Sequence, residues 1–335
     1  MRGPAAAVAV LTLAALALAG RAAPAASPEL PPVPPVWAPV TEVAPAPAPR
    51  GSWGMDVGVG PANVRVQVPD AYARTMETEL AFAHWATFLG TLLHGDELGT
   101  VTLAFALPAQ MPKACAPDAL ACYSPRHRML VVPTHAPDGW ALEHVIAHEY
   151  GHHIAAARDN SPWSAFEWGT KRWATVAGIC TKVGEATADP LGLNWDATPG
   201  EAFAETYRLL NAQRARGWGS APGWTFGDLF PFNAATMRAL ELDVRRPWQP
   251  AVTDARRGRL VAGATKRLRV GTLLDGTVRL RLRTAPRGTL LRASKVVDPA
   301  APGGMQVDAT VCGDRTIDVE VFAPRGGRFV LEVVS

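Results

Sequence analysis

Between Ala141 and Arg158 the chain reads ALEHVIAHEYGHHIAAAR. Leu142, Val145, Ile146 and Ile154 recur at roughly helical intervals, and no proline interrupts them, which predicts a buried helix with one apolar face. Residues four apart on a helix lie one turn above each other, so the imidazoles of His148 and His152 stand side by side and can grip a single ion. The rest of the chain must then bring a third ligand to that face. Glu149 projects from a neighbouring angle, where a carboxylate can take a proton from water without being a ligand itself.

Two further histidines flank this pair. His144 shares the face of His148, but at about 1.5 Å per residue it sits roughly 12 Å along the axis from His152, too far to share one ion. It reads as a packed or hydrogen-bonded side chain. His153 points about a quarter-turn away and reads as a surface or loop-contacting residue.

A second helix start follows at TPGEAFAETY, with Thr198 as cap and Pro199 at the first helical position. Glu201 and Glu205 share one face of this helix, among Ala and Phe positions turned toward packing. Two carboxylates on such a face are costly unless a cation meets them. We therefore take Glu201 as the third ligand and Glu205 as the acceptor of the far ring N–H of a ligand histidine, which fixes its tautomer. Two neutral imidazoles plus a carboxylate, with one position left open, are the donor set of a hydrolytic zinc site, so one Zn2+ is expected.

HEYGH followed downstream by EAFAE resembles the gluzincin branch of zinc metallopeptidases, in particular compact members whose third ligand opens an E-x-x-A-E motif. The resemblance spans roughly residues 141–210. It implies His148, His152 and Glu201 as ligands, Glu149 as general base and a zincin-like catalytic domain. The metzincin pattern is excluded, since Ala155 and Arg158 stand where it needs glycine and histidine, and the N-E-x-x-S-D motif of thermolysin-like enzymes is absent. Some relatives carry a tyrosine seven residues before the ligand glutamate as a transition-state donor. Asn194 occupies that position here, which leaves Tyr207 as the substitute.

The N-terminal residues bear on destination. Arg2, the Ala/Leu/Val run from Ala5 to Ala19 and the small residues to Ser27 have the basic, apolar and cleavable parts of an export signal, read as 1–26. The run is short for a bilayer span, so a secreted protein without stable membrane insertion is expected. Removing Arg2 and Arg21 takes the formal charge from +3 to +1, which implies no nucleic-acid partner. Four cysteines suit an oxidising compartment. Cys115 and Cys122 bracket a short loop and are expected to bond, which leaves Cys180 with Cys312 to staple the catalytic region to the C-terminal segment.

Along the chain, 27–60 is rich in Pro and Ala and reads as a semi-rigid tether. Ordered structure is expected from near Asn63, with a strand at VRVQV, a helix from Pro69–Asp70 to about Leu93, and strands at 100–107 and 128–132. An edge strand of that sheet can bind an extended peptide through its backbone. Eight of the eleven tryptophans fall between Trp140 and Trp248, mostly as core, with Trp163, Trp168 and Trp195 the candidates to line a cleft. A helix is read over 233–242, with Met237, Leu240 and Leu242 inward.

From about Ala255 the pattern alternates as in short strands, which predicts a small β-sandwich over 251–335. Residues 251–300 hold twelve Lys/Arg against three Asp/Glu, so one face is either a solvated sheet surface or a site for an acidic surface polymer. The whole is an α+β chain, with a zincin-like domain over 61–250 (mixed sheet plus two active-site helices) ahead of the sandwich. Secreted zinc endopeptidase action on a peptide or protein substrate is the leading expectation. A non-catalytic surface-binding protein with a structural metal, and a zinc hydrolase of a non-peptide cell-wall amide, stand as alternatives.

Overall fold

The computed structural model describes residues 56–59, 64–68, 76–117, 119–135, 140–215, 223–296 and 305–335. The expected export signal, most of the tether with Trp37, and the helix start at Pro69–Asp70 lie outside them. Up to Arg245 the elements are β1 (Asp56–Val59), β2 (Val64–Gln67), α1 (Met76–Thr91), β3 (Thr102–Ala106), α2 (Met111–Ala114), β4 (Cys122–Ser124), β5 (Met129–Pro133), α3 (Leu142–Ala156), α4 (Ala165–Trp168), α5 (Lys171–Ala177), α6 (Ile179–Gly184), α7 (Pro199–Ala215) and α8 (Ala234–Arg245). The span read as tether is corrected at its end, because β1 begins within it and pairs antiparallel with β2.

The first sheet is mixed, in the order β1-β2-β3-β5-β4. β2, β3 and β5 run parallel, while β1 and β4 are antiparallel edge strands. Every residue of β3, TLAFA, is buried, as befits a central parallel strand covered on both faces. Phe88 and Leu89 of α1, with Leu92 just beyond its end, share a core with Leu103, Phe105, Leu130, Ile146 and Ile154, each fully buried side chain contributing about 1.5–3 kcal/mol.

α3 lies inside this core and is buried nearly all round, eleven of its fifteen residues being inaccessible, His144, Glu149 and His153 among them. The one-faced amphipathic reading is therefore corrected: the polar side chains of α3 face protein instead of solvent. α8 is capped by Asn233, whose side chain accepts from the N–H groups of Ala235 and Thr236. Leu240 is buried, but Leu242 is exposed, and Asp243 takes the inward place. That carboxylate accepts from the backbone N–H groups of Arg172 and Trp173, Thr170 Oγ1 and Arg172 Nη1, and so fixes the start of α5.

The C-terminal residues form β6 (Val252–Leu260), β7 (Ala264–Gly271), β8 (Gly276–Thr284), β9 (Leu290–Ala293), β10 (Gln306–Val311), β11 (Thr316–Ala323) and β12 (Gly327–Val334). They make two antiparallel sheets, β10-β8-β12-β6 and β7-β11-β9, around a separate core that includes Val270, Leu280, Val319, Phe329 and Leu331. Seven of the twelve basic residues of 251–300 are in ion pairs, several with carboxylates directly opposite in register, such as Arg279 with Asp308 and Arg267 with Glu320. The basic strands thus meet acidic strands from the later part of the sequence.

Both disulfides join the expected partners, Cys115 with Cys122 and Cys180 with Cys312, at Cα–Cα distances of 5.8 and 5.5 Å. The second ties α6 to the end of β10. Beside it, Gly276 (φ +114°) lies so close to the Ser161 carbonyl that an added Cβ would stand 2.5 Å from it. Lys171, almost fully buried, donates to the same carbonyl at 2.6 Å and lies 4.5 Å from the Trp248 ring centroid.

Burial pushes Lys171 down to about 8 from an ordinary 10.5, against the opposing fields of Asp159, Asp275 and Asp243. Between those values the unfolded chain holds a proton that the folded chain has released, so stability rises with pH across this window. Lys171→Met should remove that rise. Denaturant unfolding of both proteins at pH 8 and above checks it, and parallel curves would contradict the assignment.

Candidate metal centre

α3 and α7 cross at Gly151 and Ala204. A Cβ on Gly151 would stand 2.8 Å from the Ala204 Cα and 3.2 Å from the Tyr207 Cβ, so only hydrogen fits there. This close approach lets side chains of two helices converge. The carboxylate of Glu201 meets His148 Nε2 at 3.0 Å and His152 Nε2 at 3.4 Å. Ligand atoms bonded tetrahedrally at about 2.0–2.1 Å stand roughly 3.3 Å apart, so these spacings suit one ion at the centre of the three. His148, His152 and Glu201 form the one such group among the described residues, and it could hold a metal ion.

The surroundings fit a cation as well. Burial disfavours the imidazolium of His148, yet hydrogen bonds to Glu201 and Glu205 outweigh it and push the ring up to about 10. Glu201 is likewise disfavoured as an anion by burial, but the two histidines hold it well below the usual carboxylate range. The site thus gathers positive charge to satisfy its carboxylates, the service a divalent ion would perform.

His148 Nδ1 lies 3.3 Å from Glu205 Oε2. Burial raises Glu205, but the Arg208 guanidinium, bonded to both its oxygens, and His148 hold it below its ordinary value. Arg208 is fully buried, and its Nη1 also donates to His144 Nδ1 at 2.9 Å. His144 is therefore a buried, hydrogen-bonded histidine away from the three converging groups. Arg208 was not foreseen in the sequence, although a guanidinium three residues past Glu205 on an otherwise apolar face is a legible signal. His152 has no such orienting acceptor: its Nδ1 is buried without a hydrogen-bond partner among the described residues, and its ring lies 5.6 Å from that of Phe166.

Glu149 is buried, and that burial raises its carboxyl above the ordinary range, while the fields of His148 and His152 oppose the rise. A carboxylate so placed beside the three converging groups is suited to accept a proton.

Two expectations are corrected. Tyr207 is fully buried and its hydroxyl donates to the Leu93 carbonyl at 2.5 Å, so it is not available as a transition-state donor. His153 is also buried, its Nε2 donating to the Glu97 carbonyl and its Nδ1 accepting from Tyr123, instead of reaching the surface.

A cleft of about 1150 Å³ opens at the site, with His152 and Glu201 in its wall. The edge strand β4 borders it through Cys122, Tyr123 and Ser124, as does the Cys115–Cys122 loop. Of the three tryptophans considered, Trp163 lines the cleft, stacked on the buried Trp168 at 4.6 Å. Trp195 stacks instead on Phe226 outside the cleft.

Gly151→Ala should cost about 1–3 kcal/mol by overpacking and weaken metal retention, because separating the helices spreads the ligands. Thermal unfolding with metal analysis of the purified variant checks this. Unchanged stability and metal content would show that the tight crossing is not needed.

The chain matches no protein-family model, no curated protein and no solved structure.

Proposed function

We propose that this chain is a secreted zinc-dependent endopeptidase with a zincin-like catalytic region. The observation that carries the reading is the convergence of His148, His152 and Glu201 beside the buried carboxylate of Glu149, at the wall of an open cleft. The two disulfides fit an oxidising compartment, and among the described residues no helix is long and apolar enough to cross a membrane.

The donor set, two imidazoles and one carboxylate, is that of zinc hydrolases. Zinc held there supplies a Lewis acid that polarises a carbonyl and makes water more acidic. The chain's residues do the rest. Glu149 accepts a proton from the attacking water and returns it to the departing amine, a transfer worth roughly 10²–10⁴-fold in rate. Glu205, held by Arg208, keeps the Nδ1 proton of His148 in place and so presents Nε2 as the ligand atom. The edge strand β4 offers backbone groups to an extended substrate, and Trp163 offers an apolar surface.

Digestion of a broad peptide library tests this. Cleavage by the zinc-loaded protein, lost with a chelator and restored by zinc, is the expected outcome. A zinc-loaded protein that cuts no peptide would overturn the reading.

A further inference from the structure

We infer that Glu167 is a specificity-determining residue that makes the cleft select substrates with a lysine or arginine side chain close to the bond cut; this rests on the peptidase reading above. The placement follows from how α4 meets α7. A Cβ on Gly200 would stand 2.6 Å from the Phe166 carbonyl and 3.6 Å from the Glu167 Cα, so α4 packs directly against the residue preceding Glu201. Glu167 therefore lines the same stretch of cleft as that ligand.

Among the described residues three acids line the cleft: Asp159, Glu167 and Glu201. Asp159 accepts from the Ser161 N–H at 2.7 Å, and Glu201 faces the two histidines. Glu167 has no hydrogen-bond or ion-pair partner among the described residues, although it is only partly exposed. Elsewhere in this region Glu97 is paired with Arg158, Glu205 with Arg208 and Asp243 with Arg172, while the buried Glu149 lies in the field of the two ligand histidines. Burial accordingly raises the Glu167 carboxyl, with no opposing cation.

A partly desolvated, unmatched carboxylate in a cleft wall is a cost that an incoming cation removes. The described bases of the cleft do not supply it: Arg158 is bonded to Glu97 and to three backbone carbonyls, while Lys113 and Arg126 are exposed and not paired with Glu167. Trp163, Phe166 and Leu191 give apolar surface against which a long alkyl stem can lie, with its charged end at Glu167.

The test uses zinc-loaded full-length protein and peptides that differ at one position only, carrying Lys, Arg, Gln or Glu. The wild type should show kcat/KM about tenfold higher for Lys and Arg than for Gln. Glu167→Gln should abolish that ratio, and Glu167→Lys should reverse it in favour of Glu. A basic preference that survives both substitutions, or a wild type without one, would overturn the inference. Binding of the same peptides to zinc-loaded Glu149→Gln by calorimetry separates the two proposals. Peptides cut without dependence on Glu167 leave the peptidase reading standing and sink the subsite. Lysine peptides bound through Glu167 but never cut by the wild type do the opposite, and neither binding nor cleavage overturns both.

Discussion

Glu149→Gln should lower peptide hydrolysis by about 10²–10⁴-fold while leaving the metal content unchanged. Glutamine has the shape of glutamate and keeps its packing inside α3, but it cannot accept a proton. The carboxyl of Glu149 is buried and raised by that burial, which strengthens it as a base toward water held beside the two histidines. It is not one of the three groups that converge on a common point, so its loss should spare the ion. Steady-state kinetics alongside metal analysis reads both effects. A variant with near wild-type turnover would remove Glu149 from its role, and one that loses zinc would make it a ligand.

Glu201→Ala should empty the site. It removes the group that meets both histidines, and two imidazoles alone leave half of a tetrahedral shell to water. Glu205→Gln should act more mildly, weakening zinc affinity about 10–100-fold, because an acceptor for His148 Nδ1 remains but its charge does not. The glutamine variant is the right comparison. Alanine there would take from the fully buried Arg208 both of the Glu205 oxygens to which it donates, at a cost of about 3–5 kcal/mol to the fold itself, whereas glutamine keeps one of the two. Competition for zinc against a chelator of known affinity ranks the variants. A larger loss for Glu205→Gln than for Glu201→Ala would exchange the two roles.

How much of this was legible depends on where the partners of each side chain lie. HEYGH and EAFAE could be read because ligand spacing is a local property of a helix, and four-residue intervals put the groups on one face. The disulfide pairing could be read because Cys115 and Cys122 are neighbours in sequence, leaving one choice for the others. His153 does not reach the surface, because its partners, Tyr123 and the Glu97 carbonyl, come from a distant strand and turn that satisfy a polar ring within the core. Tyr207 does not reach the site for the same reason: it sits two residues from Glu205, but its hydroxyl is tied to Leu93 across the core. The helices α5 and α6 gave no clear periodicity, and α5 is started by Asp243 from a helix some seventy residues later. Glu167 carries no motif at all, and only the packing of α4 on α7 places it in the cleft.

One ion shared by three side chains underlies the proposed chemistry, and anomalous diffraction at the zinc edge from crystals of the zinc-loaded protein tests this most directly. One peak per chain is predicted, about 2.0–2.2 Å from His148 Nε2, His152 Nε2 and a carboxylate oxygen of Glu201. A peak elsewhere, or bonded to the histidines with Glu201 turned away and no other protein group in its place, would contradict it.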